Sequence, residues 1–549
     1  MTRSLLARTS FVSAFLALSA TAAAQCPKEA IVGTLGQPAE SFGSALAVND
    51  ELLVVGAPGH QAPLYEQGAA HIYFWNGGAP SPAATILPSD PTQNGHFGSA
   101  VALAGESVAV GALGSKFYVP GAVFLFERTD QGWQQLEKLA ISSAPNAAEF
   151  GFALALDGEQ LFVGAPGLSS SGPGRGAVYV YRRQGSDWIL DTLLEPTSTA
   201  NFQRFGHALA LDGDLLAVGA PGSSPNGITA PWTDGSVSLF RRMAGSWSLV
   251  TVLPDSDPGA PNFHSEFGAR VALDAGRLLV GAPAEYEATG FVGKIREYRN
   301  LGAGWTETQV ISDPDPTSDS TTAFGHVFAI DGEHLIAGAP YADKLGDYKG
   351  LGYLFRDDGS GWTMQTQVAP SPIDGGFAFA SRAAISNTHV FVARNGMPPP
   401  SPYGGIVQYF PRDASGCAPL LPSKVVVSVL GPDSVGFALD AGTSLAGKPY
   451  LLLASFAGNY PGIPVGNLTL PLNPDGLLIY TLQNPNSALY PGSFGLLDPT
   501  GKGTAALQLP GGIVSLAGLV AQHAYVVLDP AQGFAVVGIS DAVAILLAI

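Results

Sequence analysis

The sequence predicts an all-β protein in which a seven-bladed β-propeller of four-stranded blades is followed by a small β-sandwich. Three observations predict this fold class. A Phe-Gly or Phe-Ala pair recurs seven times, with starts 53 to 62 residues apart, and Gly-Ala-Pro or a variant of it follows fourteen residues after each pair. The chain has 69 Gly and 43 Pro but only 13% charged residues, which is typical of short strands joined by turns. After the seventh copy the repeat stops, while short apolar runs continue to the C-terminus.

Residues 1–24 have the order of a secretory signal peptide. Arg3 and Arg8 precede an apolar run, and three alanines end at Ala24. This order of basic, apolar and small residues predicts cleavage after Ala24 and a secreted or cell-surface protein. The alternative is a lipoprotein, because Cys26 lies near the cleavage site, although the residue before it is not small. After this segment the sequence has no run of about 18 apolar residues, so it predicts no membrane span.

The charge of the chain limits its partners. The formal net charge is −18, and it becomes −20 when the two arginines of the signal are removed. An acidic surface repels phosphate backbones and anionic lipids, so we expect no nucleic-acid and no membrane-surface partner. We expect a soluble monomer whose partners are extracellular proteins or polysaccharides.

Each repeat has the pattern of a four-stranded meander, which the third copy shows best. Asp157-Gly158 is a hairpin turn that favours positive φ, and Pro166 ends a strand because proline cannot donate to a ladder. The predicted strands of this copy are residues 150–156, 160–165, 176–181 and 188–194.

Seven such sheets must stack on one another, because a lone four-stranded sheet cannot cover both of its faces. The small residues at the start of the first two strands suit a place where neighbouring sheets converge. The motif phenylalanines can fill the gaps between sheets, and a packing role for them is favoured over a ligand role. These phenylalanines are Phe42, Phe97, Phe150, Phe205, Phe267 and Phe324.

The two ends of residues 25–420 are predicted to close the ring together. The last repeat has three strands, at 379–385, 389–393 and 405–410, and an orphan apolar run at 30–35 can supply the fourth. Cys26 and Cys417 map to the same turn of the repeat, since Cys417 takes the position of Trp362 in the preceding copy. In a secreted chain with two cysteines this predicts a Cys26–Cys417 disulfide.

The repeat resembles the FG-GAP repeat, the blade of the integrin α-subunit propeller. The stretch from Val163 to Tyr181 is similar to the form found in secreted bacterial proteins. The resemblance implies an extracellular propeller with a role in cell adhesion and, in many members, an Asp-rich calcium loop between the first two strands. Here that connection is as short as Asn49-Asp50 or Asp212-Gly213, so we expect no calcium, no other metal and no cofactor. The acidic stretch 312–319 could hold an ion weakly.

Residues 421–549 alternate short apolar runs with turn residues and are predicted to form a β-sandwich-like domain. A last strand is predicted at 542–549. The other predicted strands are 424–430, 450–455, 476–482, 505–509, 524–528 and 534–539.

The sequence contains no catalytic motif. The histidines form no His-x-His or His-Glu-x-x-His pattern, and no Gly-x-Ser-x-Gly elbow is present. His207 and His326 follow Phe-Gly pairs inside the repeat. No catalytic and no metal-binding residue is predicted, although carboxylates or histidines from different blades could still converge in the central channel.

The connections between the second and third strands vary in length and carry aromatic residues, so they predict a ligand-binding rim. We expect a secreted, non-catalytic binding, adhesion or cell-surface protein that recognises protein or polysaccharide through this rim. The alternatives are a secreted hydrolase or lyase with a site in the channel, and a purely structural surface component. The candidate rim residues are Tyr65, Tyr118, Trp232, Tyr286, Tyr348 and Tyr403.

Overall fold

The chain divides into two compact units, one made of residues 29–370 and 376–412 and the other containing the residues after 413. No helix among the described residues has the length and apolar character needed to cross a membrane. The computed structural model describes residues 29–32, 40–61, 63–75, 80–114, 120–141, 148–168, 174–198, 201–222, 235–256, 265–287, 290–302, 304–314, 322–342, 350–368, 378–395, 405–412, 421–422, 426–428, 433–441, 443–456, 463–465, 468–470, 472, 474–509, 520–532, 534–539 and 543–548.

The first unit contains seven four-stranded antiparallel sheets, the number that the repeats predict. Strand β1 (Glu29–Val32) comes first in the chain and joins the last of these sheets. Sheets 1 to 3 are β2 (Ala45–Val48), β3 (Leu52–Ala57), β4 (Ala69–Phe74) and β5 (Ser81–Ile86); β6 (Phe97–Ala104), β7 (Ser107–Ala112), β8 (Ala122–Thr129) and β9 (Gly132–Ala140); and β10 (Leu154–Leu156), β11 (Gln160–Ala165), β12 (Ala177–Gln184) and β13 (Asp187–Leu194).

Sheets 4 to 7 continue the same order, and sheet 5 has an additional two-stranded ladder in the connection between its second and third strands. Sheets 4 and 5 are β14 (Ala208–Asp212), β15 (Leu215–Ala220), β16 (Ser236–Met243) and β17 (Ser246–Pro254); and β18 (Arg270–Asp274), β19 (Arg277–Ala282), β22 (Lys294–Asn300) and β23 (Trp305–Ser312), with the ladder β20 (Tyr286–Glu287) and β21 (Gly290–Phe291). Sheets 6 and 7 are β24 (Val327–Asp331), β25 (His334–Ala339), β26 (Leu351–Asp357) and β27 (Trp362–Val368); and β28 (Arg382–Ile385), β29 (His389–Asn395), β30 (Gly405–Pro411) and β1.

The seven sheets form a closed ring. The first strand of each sheet contacts the first strand of the next, and β28 of sheet 7 contacts β2 of sheet 1. The N-terminal strand β1 pairs with β30 in antiparallel register, with Ala30 opposite Gln408 and Val32 opposite Ile406. The predicted closure of the last sheet by both ends of the unit is therefore confirmed. The signal peptide, Cys26 and Cys417 lie outside the described residues, so the disulfide stays a prediction.

The motif phenylalanines hold neighbouring sheets together, as expected. Each belongs to a hydrophobic cluster that combines side chains of two consecutive sheets, and seven such clusters go round the ring. All seven side chains are 2% exposed or less. Full burial of a phenylalanine contributes about 1.5–3 kcal/mol, so these residues supply much of the packing free energy between sheets.

The motif glycines allow the sheets to approach each other closely. In six sheets, the glycine of Gly-Ala-Pro lies against the carbonyl oxygen of the next sheet's Phe-Gly or Phe-Ala pair. Gly164, for example, lies against the carbonyl oxygen of Gly206, and a Cβ on Gly164 would collide with that oxygen. The spacing of the two motifs is therefore fixed by a contact between sheets.

The first strands are shorter than predicted, because the Phe-Gly pair forms a turn. In all seven copies the residue before the motif phenylalanine has a positive φ, such as 56° at Glu149, and Gly151 has a φ of 89°. Strand β10 consequently begins at Leu154 instead of Phe150. In sheet 2 the strand does begin at Phe97, but its register is irregular between Phe97 and Ala100.

The two ends of each sheet differ, as predicted. At one end, two or three residues connect the first strand to the second. The Asp157 side chain accepts hydrogen bonds from the backbone N–H groups of Glu159 (2.9 Å) and Gln160 (2.6 Å) in such a turn. At the other end, nine to fifteen residues connect the second strand to the third. We call these the turn end and the loop end of the propeller.

The described part of the second unit is mainly β-structure, as predicted, and two of its sheets contribute side chains to one hydrophobic cluster. The sandwich itself stays a prediction. One sheet has the order β31-β33-β38 and the other β32-β41-β39-β34-β37, with β40 paired to β39. The strands are β31 (Leu421–Pro422), β32 (Val426–Ser428), β33 (Asp433–Asp440), β34 (Pro449–Ser455), β35 (Ile463–Val465), β36 (Leu468–Leu470), β37 (Phe494–Leu496), β38 (Lys502–Leu509), β39 (Val520–Asp529), β40 (Ala535–Ile539) and β41 (Val543–Ala548). Two short 3-10 turns are present at Thr443–Leu445 and Pro530–Gln532.

The strand predicted at residues 476–482 is wrong, because this segment forms helix α1 (Gly476–Gln483). Asp475 caps the helix, and its side chain accepts a hydrogen bond of 2.8 Å from the backbone N–H of Leu478. The buried face of α1 packs on strand β34 through Leu478 and Thr481. Strand β33, which was not predicted, supplies one wall of the shared cluster.

Candidate functional site

Two of the six aromatic residues of the predicted rim, Tyr65 and Tyr286, lie within the described residues, at the loop end. Tyr65 lies between β3 and β4 and is 53% exposed, and a hydrogen bond with Glu66 raises the pKa of its phenol. Tyr286 begins strand β20, but its side chain is outside the described part of the structure. Among the six candidates, Tyr65 is the residue whose side chain the structure describes, and the rim stays a prediction. The other four, Tyr118, Trp232, Tyr348 and Tyr403, lie outside the described residues.

Two arginines lie on the innermost strands of the ring. Arg382 begins β28 and donates through Nε to the backbone carbonyl of Ser44 in sheet 1, at 2.8 Å. Arg270 begins β18, and its Nε lies 3.4 Å from the carbonyl oxygen of Phe328 in sheet 6. Each guanidinium therefore reaches the next innermost strand. Within the described part of the chain, neither forms an ion pair with a carboxylate.

Two histidines lie in the same layer of the ring. The Nδ1 of His207 is 3.2 Å from the carbonyl oxygen of Ala269, and its ring packs 4.7 Å from the ring of Phe152. His326 occupies the equivalent position in sheet 6. Part of its surface is open to solvent, but many protein atoms lie close to its imidazole ring. The layer thus combines two guanidinium groups and two imidazoles.

Burial and like charge shift the titration of this layer. Burial, together with the charge of Arg204, lowers the pKa of His207 to about 3. Burial and the neighbouring arginines lower the pKa of His326 to about 4, and burial lowers the pKa of Arg270 to about 10. Both imidazoles are therefore neutral at pH 7, and the positive charge of the layer is on Arg270 and Arg382.

A second group of side chains converges at the loop end of sheet 1. Glu40 Oε1 lies 2.9 Å from His60 Nδ1 and 3.1 Å from His71 Nε2. Glu40 is fully buried, and the side chains of the two histidines are 11% and 12% exposed. The potential metal-ligand atoms all lie within 4.8 Å of one another, and no other described group of three such side chains meets this geometry. We call Glu40, His60 and His71 the sheet 1 triad.

The repeat itself builds the backbone of the triad. The carbonyl oxygen of Glu40 accepts from Gly59 N–H at 2.9 Å, and that of His60 accepts from Gly68 N–H at 3.1 Å. In sheet 3, Ala148 and Leu168 make the same two bonds at 3.1 and 3.0 Å, and Tyr179 takes the place of His71. The same backbone bonds thus form with Ala, Leu and Tyr at these three positions.

Sheet 5 has Ser265, Glu285 and Arg296 at the same positions, and Glu285 and Arg296 belong to an ion-pair network with Lys294. Arg296 Nη2 donates to both carboxylate oxygens of Glu285 at 3.0 Å, and Lys294 Nζ lies 2.7 Å from Glu285. Burial opposes the charge of Arg296, but Glu285 and Asp255 raise its pKa above the ordinary value. The carboxylate in this sheet is therefore neutralised by two fixed cations.

A cleft of about 150 Å³ separates sheets 1 and 2. Its wall includes Gln67, Thr92 and the ion pair between Lys138 and Asp90, whose atoms are 2.7 Å apart. The side chains of this pair are 35% and 71% exposed, so the pair contributes little to stability. None of the described residues that line the cleft belongs to the inner-ring layer or to the sheet 1 triad.

The sequence analysis did not find the sheet 1 triad or the two arginines, although it noted both histidines of the ring. Glu40, His60 and His71 are separated by 20 and 11 residues, so no short ligand motif contains them. A position-by-position comparison of the repeats would have detected them, because Glu40 and His60 replace Ala148 and Leu168 of the third copy and His71 replaces Tyr179. Arg270 and Arg382 likewise replace Ala153 of that copy.

Comparisons with known proteins agree with the repeat pattern. Residues 81–126 and 133–181 match the FG-GAP repeat family. No curated protein sequence matches the chain. A chain in the Saccharomyces cerevisiae complex of a Dbp5 variant with Nup159, a Gle1 variant, IP6 and ADP is 10% identical, with a TM-score of 0.35 over 72% of this chain and 97% of that chain.

Two archaeal structures are similarly distant. The β-propeller domain of the Trilobed protease from Pyrococcus furiosus is 11% identical, with a TM-score of 0.35 over 64% of this chain and 91% of that one. The acylaminoacyl peptidase of Pyrococcus horikoshii is 9% identical, with a TM-score of 0.39 over 74% of this chain and 59% of that one. These values support no statement about ligand or activity. Two repeats of this chain thus match the FG-GAP repeat family, and the same Phe-Gly and Gly-Ala-Pro motif recurs around the closed ring of four-stranded sheets.

Proposed function

We propose that this chain is an extracellular, non-catalytic binding protein of the adhesion or cell-surface type. Its loop end recognises a protein or polysaccharide that presents a negatively charged group to the centre of the ring. The phenylalanines and glycines of the repeat are used in packing between sheets, so recognition falls to the variable loops and to the residues around the axis. The predicted signal peptide supports an extracellular location.

The observation that carries the proposal is the pair of inner-ring arginines. Arg270 and Arg382 bond to backbone carbonyls, whereas the buried Arg296 has carboxylate partners. The chain carries 44 acidic residues against 26 basic ones, yet no described carboxylate pairs with either inner arginine. Placing a guanidinium among protein atoms without a counter-ion is unfavourable, and an anionic ligand would remove that penalty.

The test uses the full mature chain on arrays of acidic glycans, neutral glycans and secreted proteins. The double variant Arg270→Gln/Arg382→Gln should lose binding to acidic ligands. The control double variant Arg182→Gln/Arg356→Gln removes the same charge from side chains that are 51% and 46% exposed, and it should bind as the unchanged chain does. Urea unfolding midpoints of both variants establish that they are folded.

Equal loss of binding in both double variants would attribute the interaction to net charge and contradict the role of the inner ring. Binding only to neutral ligands would contradict the anionic part of the proposal. Absence of any ligand would favour a purely structural surface component.

The second candidate is a hydrolase or lyase with its site in the channel. His207 and His326 favour it, since they are neutral imidazoles in the same layer as two cations and could exchange protons with a bound anionic substrate. Release of smaller products from an acidic polysaccharide by the unchanged chain, and its loss in His326→Gln, would support this candidate over simple binding.

A further inference from the structure

We propose that Glu40, His60 and His71 form a binding site for a divalent transition-metal ion, with Zn²⁺ as the ion that fits best. The site lies at the loop end of sheet 1 and is independent of the inner-ring arginines. The inference goes beyond the proposed binding function, because it does not depend on which ligand the loop end recognises.

The donor set selects the class of metal. Two imidazole nitrogens and one carboxylate oxygen suit Zn²⁺ and related transition metals, whereas Ca²⁺ and Mg²⁺ prefer oxygen ligands alone. Three protein ligands leave one tetrahedral position for water or for an atom of a partner. The 11% and 12% exposure of the histidine side chains provides a route for the ion and for that fourth ligand.

The distances require only a small adjustment. A tetrahedral ion with bonds of about 2.0–2.2 Å holds neighbouring ligand atoms about 3.3 Å apart. Glu40 Oε1 is 2.9 Å from His60 Nδ1 and 3.1 Å from His71 Nε2, so both gaps must open by a few tenths of an ångström. The third separation, between the two imidazole nitrogens, is at most 4.8 Å.

The surroundings of His71 permit a change to the tautomer that binds metal through Nε2. Its Nδ1 lies 3.0 Å from the hydroxyl oxygen of Thr85 on the neighbouring strand β5. Without an ion, Nε2–H donates to the Glu40 carboxylate, which can only accept. Because the Thr85 hydroxyl can accept as well as donate, His71 can carry its proton on Nδ1 when an ion takes the Nε2 lone pair. The ring also packs 5.4 Å from the ring of Phe42, which restricts its rotation.

The comparison with sheets 3 and 5 separates a ligand role from a purely structural one. The apolar Ala148 and Leu168 of sheet 3 show that the local fold does not require polar groups. In sheet 5, the cationic side chains of Arg296 and Lys294 neutralise Glu285, and neither a guanidinium nor an ammonium group has a lone pair for a metal ion. In sheet 1, two imidazoles face the carboxylate, and imidazoles can exchange a proton for a metal ion.

The experiment measures Zn²⁺ binding to the full mature chain, prepared without a polyhistidine tag and stripped with a chelator. Isothermal titration with zinc chloride should show one tight site. Cobalt chloride should give the visible absorption of a tetrahedral Co²⁺ ion, which reports nitrogen and oxygen ligation directly. Zn²⁺ should also raise the thermal unfolding midpoint, because the ion binds the folded chain alone.

Variants assign the site. His60→Gln and His71→Gln should each weaken Zn²⁺ binding about tenfold or more and abolish the Co²⁺ spectrum. His96→Gln is the matched control, since His96 Nε2 pairs with Glu66 at 3.1 Å at the same end of the propeller, and no third ligand joins them among the described side chains. The variant Thr85→Val keeps all three ligands and should weaken binding by a smaller factor, so it tests the site even if a ligand variant fails to fold.

A chain that takes up no Zn²⁺, or one in which His96→Gln reduces binding as much as His71→Gln, would overturn the proposal. Loss of acidic-ligand binding in the arginine double variant with Zn²⁺ binding intact would separate this site from the proposed function.

Discussion

The contact between motif glycines of adjacent sheets predicts the effect of a single methyl group. Replacing Gly164 with alanine places a Cβ against the carbonyl oxygen of Gly206, and a second contact forms at 3.4 Å with Ala153 Cβ. The Gly206 backbone cannot move freely, since its N–H donates to the carbonyl oxygen of Gly219 at 3.1 Å. Overpacking a core costs about 1–3 kcal/mol, and a rigid backbone neighbour places Gly164→Ala near 3 kcal/mol.

The matched control is Gly352→Ala, a buried glycine in β26 of sheet 6. A Cβ there would meet only side-chain atoms, at 3.5 to 3.7 Å, and the backbone φ is in the ordinary range. We expect a change within about 1 kcal/mol, on the stabilising side, because alanine loses less backbone entropy than glycine on folding. Urea unfolding, followed by tryptophan fluorescence and far-UV circular dichroism, measures both free energies of unfolding.

Equal destabilisation by the two variants would refute the idea that the sheet-to-sheet contact fixes the motif glycine. Sheet 7 sharpens the test. It has Ala393 in place of the motif glycine, and a Cβ on the neighbouring Gly43 would lie 3.0 Å from the Ala393 methyl. The junction between sheets 7 and 1 therefore accommodates an alanine at the motif position. The junction between sheets 3 and 4 is built around a glycine, and the free-energy cost of Gly164→Ala measures this difference.

Three further predictions concern charge and covalent closure. Glu285→Gln removes the closest buried carboxylate of Arg296 and Lys294, leaving Arg296 with Asp255 at 3.8 Å and Glu307 at 3.3 Å, and should lower the free energy of unfolding by about 3 kcal/mol. Arg356→Gln, in an exposed pair with Glu333, should cost at most about 1 kcal/mol in the same urea assay, and similar costs for the two would contradict the network. Because the pKa of His207 falls from its ordinary 6.5 to about 3 on folding, the unfolded chain binds an extra proton between these pH values, so stability falls as the pH falls through this window. His207→Gln should flatten this part of the pH dependence of the urea midpoint, and an unchanged slope would contradict the shift. The mature protein, denatured without reductant, should show no reactive thiol, because Cys26 and Cys417 form the predicted disulfide; two titratable thiols would exclude it.

The propeller could be predicted from the sequence because its geometry repeats in the letters. The distance from Phe150 to Gly164 is set by a turn, a short hairpin and a contact with the next sheet, so each copy has the same spacing. The closure by β1 was also predictable, since the last repeat has three strands and the apolar run before the first repeat can supply the fourth. The exact start of each first strand was not, because positive φ at Glu149 and Gly151 turns the chain where a strand was expected.

The second unit shows where pattern analysis fails. Residues 476–482 form a short apolar run bounded by turn residues, which fits a strand and a buried helix equally well. Asp475 favours the helix because its side chain caps the first turn. Contacts with β34 stabilise the helix further, since a segment this short is not stably helical by itself. The cap was the available signal, and tertiary packing supplied the rest.

The candidate sites lie where the repeats differ, and this follows from how the ring is built. A position that every sheet uses for packing is constrained in all seven copies, as the motif phenylalanines show. Where one sheet has an apolar residue and another has a charged one, the fold does not require the charge. The charged residue therefore needs another explanation. In sheet 5, that explanation is internal, because Glu285 and Arg296 satisfy each other. In sheet 1, Glu40 faces two imidazoles whose protons can leave, and a metal ion is the partner that this chemistry accepts. Two copies of one local fold have therefore diverged, one toward a fixed ion-pair network and the other toward a replaceable ligand.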